Sequence, residues 1–183
     1  YKCTYRTTAD VNTDKIIYSN IAVATFSNIF GSTQITVDDV TRDIQKTDLS
    51  SIVLEGFTSI GKNAFEECNN ISSVTIPDSV TNIGLNAFYN CIKLKSINFP
   101  QSVTNIGYQA FWRCGDLKDV NITSAVSLGT KVFENCYDLS TVNIVIDGNL
   151  PLRTFNFCTN LQSVTISGNN VEIIGENAFD NCE

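Results

Sequence analysis

The chain has 183 residues, a length that suits one domain or two small ones, and its 43% hydrophobic content indicates a folded protein. Its net charge of −7 argues against a nucleic-acid-binding surface, which needs a basic patch, and no apolar run approaches the roughly 18 residues of a membrane span. Histidine is absent, which excludes Ser-His and Cys-His catalytic pairs and imidazole metal ligands. Because methionine is absent too, we expect a processed or excised part of a larger protein.

The first 45 residues contain β-prone stretches at 1–8, 15–26 and 34–38, and they do not match the periodic pattern that follows. The first coil of a stacked repeat exposes core side chains and strand edges unless another element covers it. We therefore interpret residues 1–45 as a β-rich N-terminal cap. The alternative is a separate module, although so short a segment would barely be stable alone.

From residue 46 onward the sequence is periodic. Six of the seven cysteines are spaced 22 to 24 residues apart, and a phenylalanine stands three positions before each of them. A near-constant period of this length is the signature of a solenoid. We predict a repeat array over residues 46–183, with about six units of which the last is truncated. The periodic cysteines are Cys68, Cys91, Cys114, Cys136, Cys158 and Cys182.

Each unit combines a strand pattern with a turn pattern. Apolar residues two positions apart, such as Val74 and Ile76, share one face of a strand, and stacking the units as parallel strands buries that face. A short return strand then crosses the other side, although residues 145–153 lack its pattern and predict an irregular return. The stretch at 85–90 predicts a short helical turn whose phenylalanine covers the core. A glycine before each turn predicts a tight bend with positive φ, at Gly61, Gly84, Gly107, Gly129 and Gly175.

The periodic cysteines allow several interpretations. Stacked side chains run parallel and keep their Cβ atoms near the coil spacing, whereas a disulfide needs them about 3.8 Å apart, so we favour buried thiols that act as small hydrophobic groups. A zinc cluster is the first alternative, but no Cys-x-x-Cys pair occurs. A reactive cysteine is the second, but it would lack its usual base. The oxidation state of Cys3, which fits no repeat column, stays open.

The units resemble the BspA-like leucine-rich repeats, also called the Treponema pallidum type. Their motif runs Cys-x-x-Leu-x-x-Val-x-Ile-Pro-x-x-Val-x-x-Ile-Gly-x-x-Ala-Phe, and residues 68–88 and 91–111 match it almost position for position. The resemblance implies a leucine-rich repeat solenoid, which we expect to be a right-handed coil with a parallel concave β-sheet, short helical turns and short return strands. It also implies a secreted or surface-attached, virulence-associated protein that adheres to host matrix proteins, plasma proteins or other cells. The family has no common catalytic residues.

Two surfaces are candidate binding sites. The first is the outward face of the concave sheet, a column of polar residues that is either simply solvated or a broad surface for protein or glycan. The second is an apolar quartet on the turn side with a neighbouring arginine, which replaces polar residues of the flanking units and is typical of interface hot spots. Its members could instead pack only on each other. The quartet and arginine are Leu85, Tyr89, Tyr108, Trp112 and Arg113, and the concave residues are Thr75, Asn98, Asn121, Asn143 and Thr165.

Two Asn-x-Ser/Thr motifs are N-glycosylation acceptors if the chain passes through a eukaryotic secretory pathway, at Asn70 and Asn121.

Three functions compete at this stage. The first is an adhesin-like surface or secreted binding protein without enzyme activity, whose partner is a host matrix or cell-surface protein or, as a second class, a glycan. The second is an intracellular or structural scaffold or spacer that mediates protein contacts. The third is an enzyme, which we disfavour because paired acids such as Glu66 and Glu67 lack an accompanying phosphate or calcium loop. We expect no cofactor, no metal, no nucleic acid and no membrane insertion.

Overall fold

The computed structural model describes residues 58–182 in full, together with the backbone of five earlier strands. These strands are β1 (Cys3–Arg6), β2 (Val23–Asn28), β3 (Gly31–Thr36), β4 (Thr41–Ile44) and β5 (Ser51–Glu55). β1 pairs antiparallel with β4, while β2 pairs antiparallel with both β3 and β5. The rest of the predicted cap lies outside the described residues, and its boundary at residue 45 stays a prediction.

Short parallel strands stack along two sides of the repeat array. On the concave side β5, β7 (Ser73–Thr75) and β9 (Ser96–Asn98) pair in register, so that Val74 lies opposite Ile52 and Ile97. On the return side β6 (Ser59–Ile60), β8 (Asn82–Ile83) and β10 (Asn105–Ile106) pair in the same way. The prediction of a parallel-stacked solenoid is confirmed.

In the later coils longer strands replace the separate short strands of the two sides. β11 (Asp119–Leu128) runs from the concave sheet to the return side, where it pairs with β10, and its register against β12 (Thr141–Asp147) shifts between Ile122 and Val126. β13 (Ser163–Asn169) pairs parallel with β12. Residues 145–147 continue β12 and pair with β13, so the irregular return predicted for residues 145–153 is not found there, while the rest of that range holds an isolated bridge between Leu150 and Ile174.

The turns are not helical, so the prediction of short helical turns is wrong. The backbone N–H groups of Asn63, Phe65 and Glu67 donate to carbonyls of the next coil at 2.7–2.9 Å, and later coils repeat this pattern. Asn63 and Glu67 reach that geometry with φ of 57° and 59°, which interrupts the run of right-handed residues that a helix requires. Within the described part of the chain thirteen non-glycine residues have positive φ, and seven of them are asparagine, which tolerates this conformation better than most residues. None of the described residues belongs to a helix that could span a membrane.

The repeated glycines have a different role from the one predicted. φ is positive at Gly148 and Gly168 but at none of the five glycines of the repeat column. A Cβ atom on Gly107 would lie 2.7 Å from the backbone nitrogen of Leu85 and 2.8 Å from the carbonyl carbon of Gly84. Close approach of successive coils, and not the bend itself, therefore requires glycine at this position.

A stack of phenylalanine rings forms the centre of the core. Neighbouring rings along the array have centroids 5.1–5.7 Å apart and planes within 17° of parallel. Phe99 adds an edge-on contact to Phe111, with centroids 5.5 Å apart. The burial predicted for this column is confirmed except at the final ring, which is half-buried. The six rings are Phe65, Phe88, Phe111, Phe133, Phe155 and Phe179.

The cysteine column lies beside this stack, and each thiol donates a hydrogen bond to a phenylalanine carbonyl of the preceding coil, as Cys114 does to Phe88 at 3.3 Å. Burial raises the pKa of Cys114, and it raises the pKa of Cys136 to about 12, so these thiols are protonated and inert near neutral pH. Cys182 is free and half-buried, whereas Cys68 is disulfide-bonded, which the sequence analysis did not predict. The prediction of buried thiols is confirmed at Cys91, Cys114, Cys136 and Cys158. Cys3 falls outside the described side chains.

Candidate protein-binding surfaces

The structure places the turn-side quartet and its arginine in neighbouring columns of two stacked coils, and we call these residues the aromatic patch: Leu85, Tyr89, Tyr108, Trp112 and Arg113. The rings of Tyr89 and Trp112 stack with centroids 4.5 Å apart and planes 10° from parallel. The guanidinium carbon of Arg113 lies 6.0 Å from the centroid of the Trp112 ring, at the outer limit of a cation–π contact. These residues meet because the coils stack in register and place the same column of successive units side by side.

Exposure differs among the members of the patch. Tyr108 is 40% exposed, whereas Leu85, Tyr89 and Trp112 are half-buried. The alternative that the patch residues pack only on each other therefore holds in part, because Tyr89 and Trp112 each pack one ring face against the other. The ring edges, the Tyr108 side chain and the exposed guanidinium of Arg113 remain available to a partner.

The electrostatics of the patch keep the phenol of Tyr89 neutral and leave the cation of Arg113 available. Burial raises the pKa of Tyr89, the carboxylate of Glu66 raises it further, and Arg113 acts in the opposite direction. Arg113 forms no ion pair with any carboxylate of the described residues, among which the Lys131–Glu134 pair is found at 3.9 Å. A partner can therefore meet an unpaired cation beside aromatic rings.

The patch ends where its column becomes polar. Glu134 follows Trp112 in this column and is buried, and its Oε1 accepts a hydrogen bond of 2.9 Å from Nδ2 of Asn156. Sequence reasoning missed this buried polar pair, which gave no signal beyond two polar residues one repeat apart. Because the carboxylate is already bonded and close to Lys131, we assign Glu134 a structural role.

The concave candidates are all exposed, but their amides are partly used by the fold. Asn98 accepts a hydrogen bond of 2.9 Å from the backbone N–H of Ile76 and donates one of 3.1 Å to the same residue's carbonyl. Asn143 donates to Oδ1 of Asn121 at 3.0 Å. These hydrogen bonds between successive coils favour the interpretation that the concave face is a solvated surface and not a preformed binding site. The exposed column comprises Thr75, Asn98, Asn121, Asn143 and Thr165.

The two glycosylation motifs occupy different environments. Asn121 lies exposed on β11, where a glycan would cover the concave face. Asn70 is half-buried, and its Oδ1 accepts a hydrogen bond from Nζ of Lys93 at 3.2 Å. Attachment of a glycan at Asn70 would compete with that contact.

Sequence reasoning missed a second group of exposed apolar side chains near the turns. Ile92, Tyr137 and Phe157 are 38–41% exposed. The hydroxyl of Tyr137 donates to Oδ1 of Asn135 at 3.3 Å, and its ring lies 3.5 Å from where a Cβ atom on Gly115 would be. The signal was present at one position, since Phe157 falls in a column that is otherwise polar.

No group of His, Cys, Asp and Glu side chains in the described part of the chain is arranged to hold a metal ion.

Stacked parallel strands, a continuous phenylalanine core and glycine-mediated coil contacts define a leucine-rich repeat β-solenoid. The sequence matches the BspA type leucine rich repeat region over residues 41–149 and 129–183, in six copies, and the chain belongs to this family. Repeats of this kind serve as protein-interaction modules.

Several solved structures share the fold. A leucine rich cell surface protein from Faecalibacterium prausnitzii is 25% identical with a TM-score of 0.62, over 94% of this chain and 53% of that one. A leucine rich repeat protein of T. pallidum is 22% identical with a TM-score of 0.51, over 69% and 78% of the two chains. The pneumococcal vaccine antigen PcpA is 21% identical with a TM-score of 0.55, over 75% of this chain and 37% of that one. A search of the curated proteins finds no match.

Proposed function

We propose that this chain is a non-enzymatic, adhesin-like binding protein of the cell surface or secreted space, which recognises host matrix proteins, plasma proteins or other cells. The observation that carries the proposal is the aromatic patch, in which stacked rings, an exposed tyrosine and an exposed cation share one surface. Tyrosine, tryptophan and arginine are the residues that most often dominate binding energy at protein interfaces. A protein partner fits this chemistry better than a glycan, because the broad faces of Tyr89 and Trp112 are turned toward each other.

Two further observations support an extracellular setting. Cys68 is disulfide-bonded, and disulfides persist in oxidising compartments and are rare in the cytosol of most organisms. Among the similar structures, one is a cell surface protein and another a vaccine antigen, and those descriptions apply to those proteins.

The second candidate function is a structural or intracellular spacer. The free thiols of the cysteine column favour it, because reduced cysteines are the rule inside cells. Burial weakens this argument, since protonated and inaccessible thiols survive in either compartment.

The test is binding of the purified chain to immobilised matrix and plasma proteins, with the wild type beside a Tyr108→Ser/Trp112→Ser variant. Lys62→Ser/Glu66→Ser is the matched control, because it changes the same two columns two coils earlier. Circular dichroism and a thermal melt verify that both variants are folded. We expect saturable binding that weakens about tenfold or more in the patch variant and little in the control.

The other outcomes discriminate between the functions. Binding that survives in the patch variant moves the contact to another surface, with the concave face first. Binding to nothing on the panel contradicts the adhesin proposal and favours the spacer.

A further inference from the structure

Phe157 occupies a backbone position that disfavours a bulky side chain. Its φ is 58°, and the same column of the other coils holds only polar or charged residues: Glu67, Asn90, Arg113, Asn135 and Asn181. A bulky residue in the left-handed region is an outlier that costs free energy, while asparagine fits there with less strain. Nothing in the core requires this phenylalanine, because its side chain is 41% exposed.

An exposed, strained aromatic residue is the pattern expected of a binding group and not of a stabilising one. A side chain that lowers stability without filling the core is explained if it contacts something outside the fold. Phe155, two positions earlier, already provides the buried ring of this coil.

The position of Phe157 connects it to the aromatic patch. Phe157 lies two coils beyond Trp112 in a neighbouring column, and the ring spacings of 5.5 and 5.7 Å in the phenylalanine stack place it about 11 Å along the array. Arg113 stands in the same column as Phe157, with Asn135 between them. The surface therefore presents aromatic rings, an unpaired cation, polar groups and then a further aromatic ring.

We propose that Phe157 is a second anchor of the binding surface and that its occupant is a protein segment with two apolar side chains and a carboxylate between them. The carboxylate meets Arg113, and the apolar side chains meet Trp112 and Phe157. An extended segment rises about 3.3 Å per residue, so side chains four positions apart share one face and lie about 13 Å apart, with the side chain midway between them on the same face. The inference rests on the proposed function, because it extends the contact made by the aromatic patch.

The test uses a phage-displayed library of random peptides, selected on the wild-type chain. The variants are Phe157→Asn, which installs the residue most common in this column, and Arg113→Gln. The matched control is Arg153→Asn, because Arg153 has φ of 53° in the same turn and its change relieves strain without removing an aromatic ring. Fluorescence anisotropy with the selected peptides gives the Kd values, and a thermal melt of each variant gives the stability.

We expect selected peptides to carry an aspartate or glutamate between two apolar residues. Their Kd is expected to rise about tenfold for Phe157→Asn and for Arg113→Gln, and to stay unchanged for Arg153→Asn. The melting temperature of Phe157→Asn is expected to equal or exceed that of the wild type, because the strain is relieved.

Three results would overturn the inference. These are peptides that bind Phe157→Asn as tightly as the wild type, a selection without enrichment, and a melting temperature of Phe157→Asn several degrees below the wild type. Failure of the adhesin proposal has a different readout, namely that the wild-type chain binds none of the immobilised matrix and plasma proteins. If binding to the panel is lost in the Tyr108→Ser/Trp112→Ser variant and kept in Phe157→Asn, the adhesin proposal is supported and the role of Phe157 as a second anchor is contradicted.

Discussion

Replacing Gly107 by alanine tests whether the glycine column exists for backbone conformation or for coil contact. The added Cβ would meet Leu85 N at 2.7 Å and Gly84 C at 2.8 Å, distances that real Cβ atoms essentially never show. Both contacts are backbone atoms of the preceding coil, so no side chain can rotate away and the coils must separate. Gly61→Ala is the matched control, because its Cβ would have no neighbour within 4 Å among the residues that the structure describes.

The magnitude follows from two opposing effects. Glycine-to-alanine substitution at a permitted φ stabilises by about 0.4–1 kcal/mol, because the unfolded chain loses freedom, and this gain is common to both variants. Overpacking costs about 1–3 kcal/mol and applies to Gly107 alone. We therefore expect Gly61→Ala to be slightly more stable than the wild type, and Gly107→Ala to be about 1–3 kcal/mol less stable than Gly61→Ala.

Urea unfolding monitored by circular dichroism measures the two free energies, provided that the m-values stay equal. Equal destabilisation of both variants would mean that backbone conformation is the cause and that the close-approach argument is wrong. Stabilisation of both variants would mean that the coils separate to accommodate the added Cβ atom at little cost in free energy.

Two further predictions concern the core. Phe111→Ala is expected to cost about 3–5 kcal/mol in the free energy of unfolding, because the ring is fully buried and packs between Phe88 and Phe133; a loss below about 1 kcal/mol in urea unfolding would refute the burial of this column. Stability should also fall as the pH rises above 9, because an unfolded thiol ionises near 9.0 while burial holds Cys136 protonated to about 12 and raises the pKa of Cys114 as well. The contribution of the buried protonated thiols to the free energy of unfolding is complete below pH 9 and decreases by roughly 1 kcal/mol per thiol and pH unit above it. Equal free energies of unfolding at about pH 7 and about pH 10 would contradict the reasoning.

The period of the sequence predicted the parts of the fold that depend on burial. A column that is apolar in every unit must face the core when identical units stack, and Val74, Phe111 and Cys114 are indeed buried. The short helical turn predicted for residues 85–90 is absent from the structure. The asparagines at positive φ, such as Asn86 and Asn90, were the contrary signal.

The binding surfaces were predictable only in part. A local substitution pattern, two apolar pairs in otherwise polar columns, drew attention to Tyr108 and Trp112. That Tyr89 stacks on Trp112 depends on side-chain directions that the spacing leaves open. Phe157 is the one apolar residue of a polar column, but its φ angle and its exposure, on which its proposed role depends, are known only from the structure.

The sequence by itself determined the solenoid, its period, its buried columns and its family, because these follow from repetition and from the removal of apolar surface from water. Only the tertiary structure decided why glycine recurs, that the turn is not a helix, and which rings meet at the surface. Those features depend on distances between coils that lie about 22 residues apart in the chain, and contacts at that separation are fixed by packing and not by local sequence.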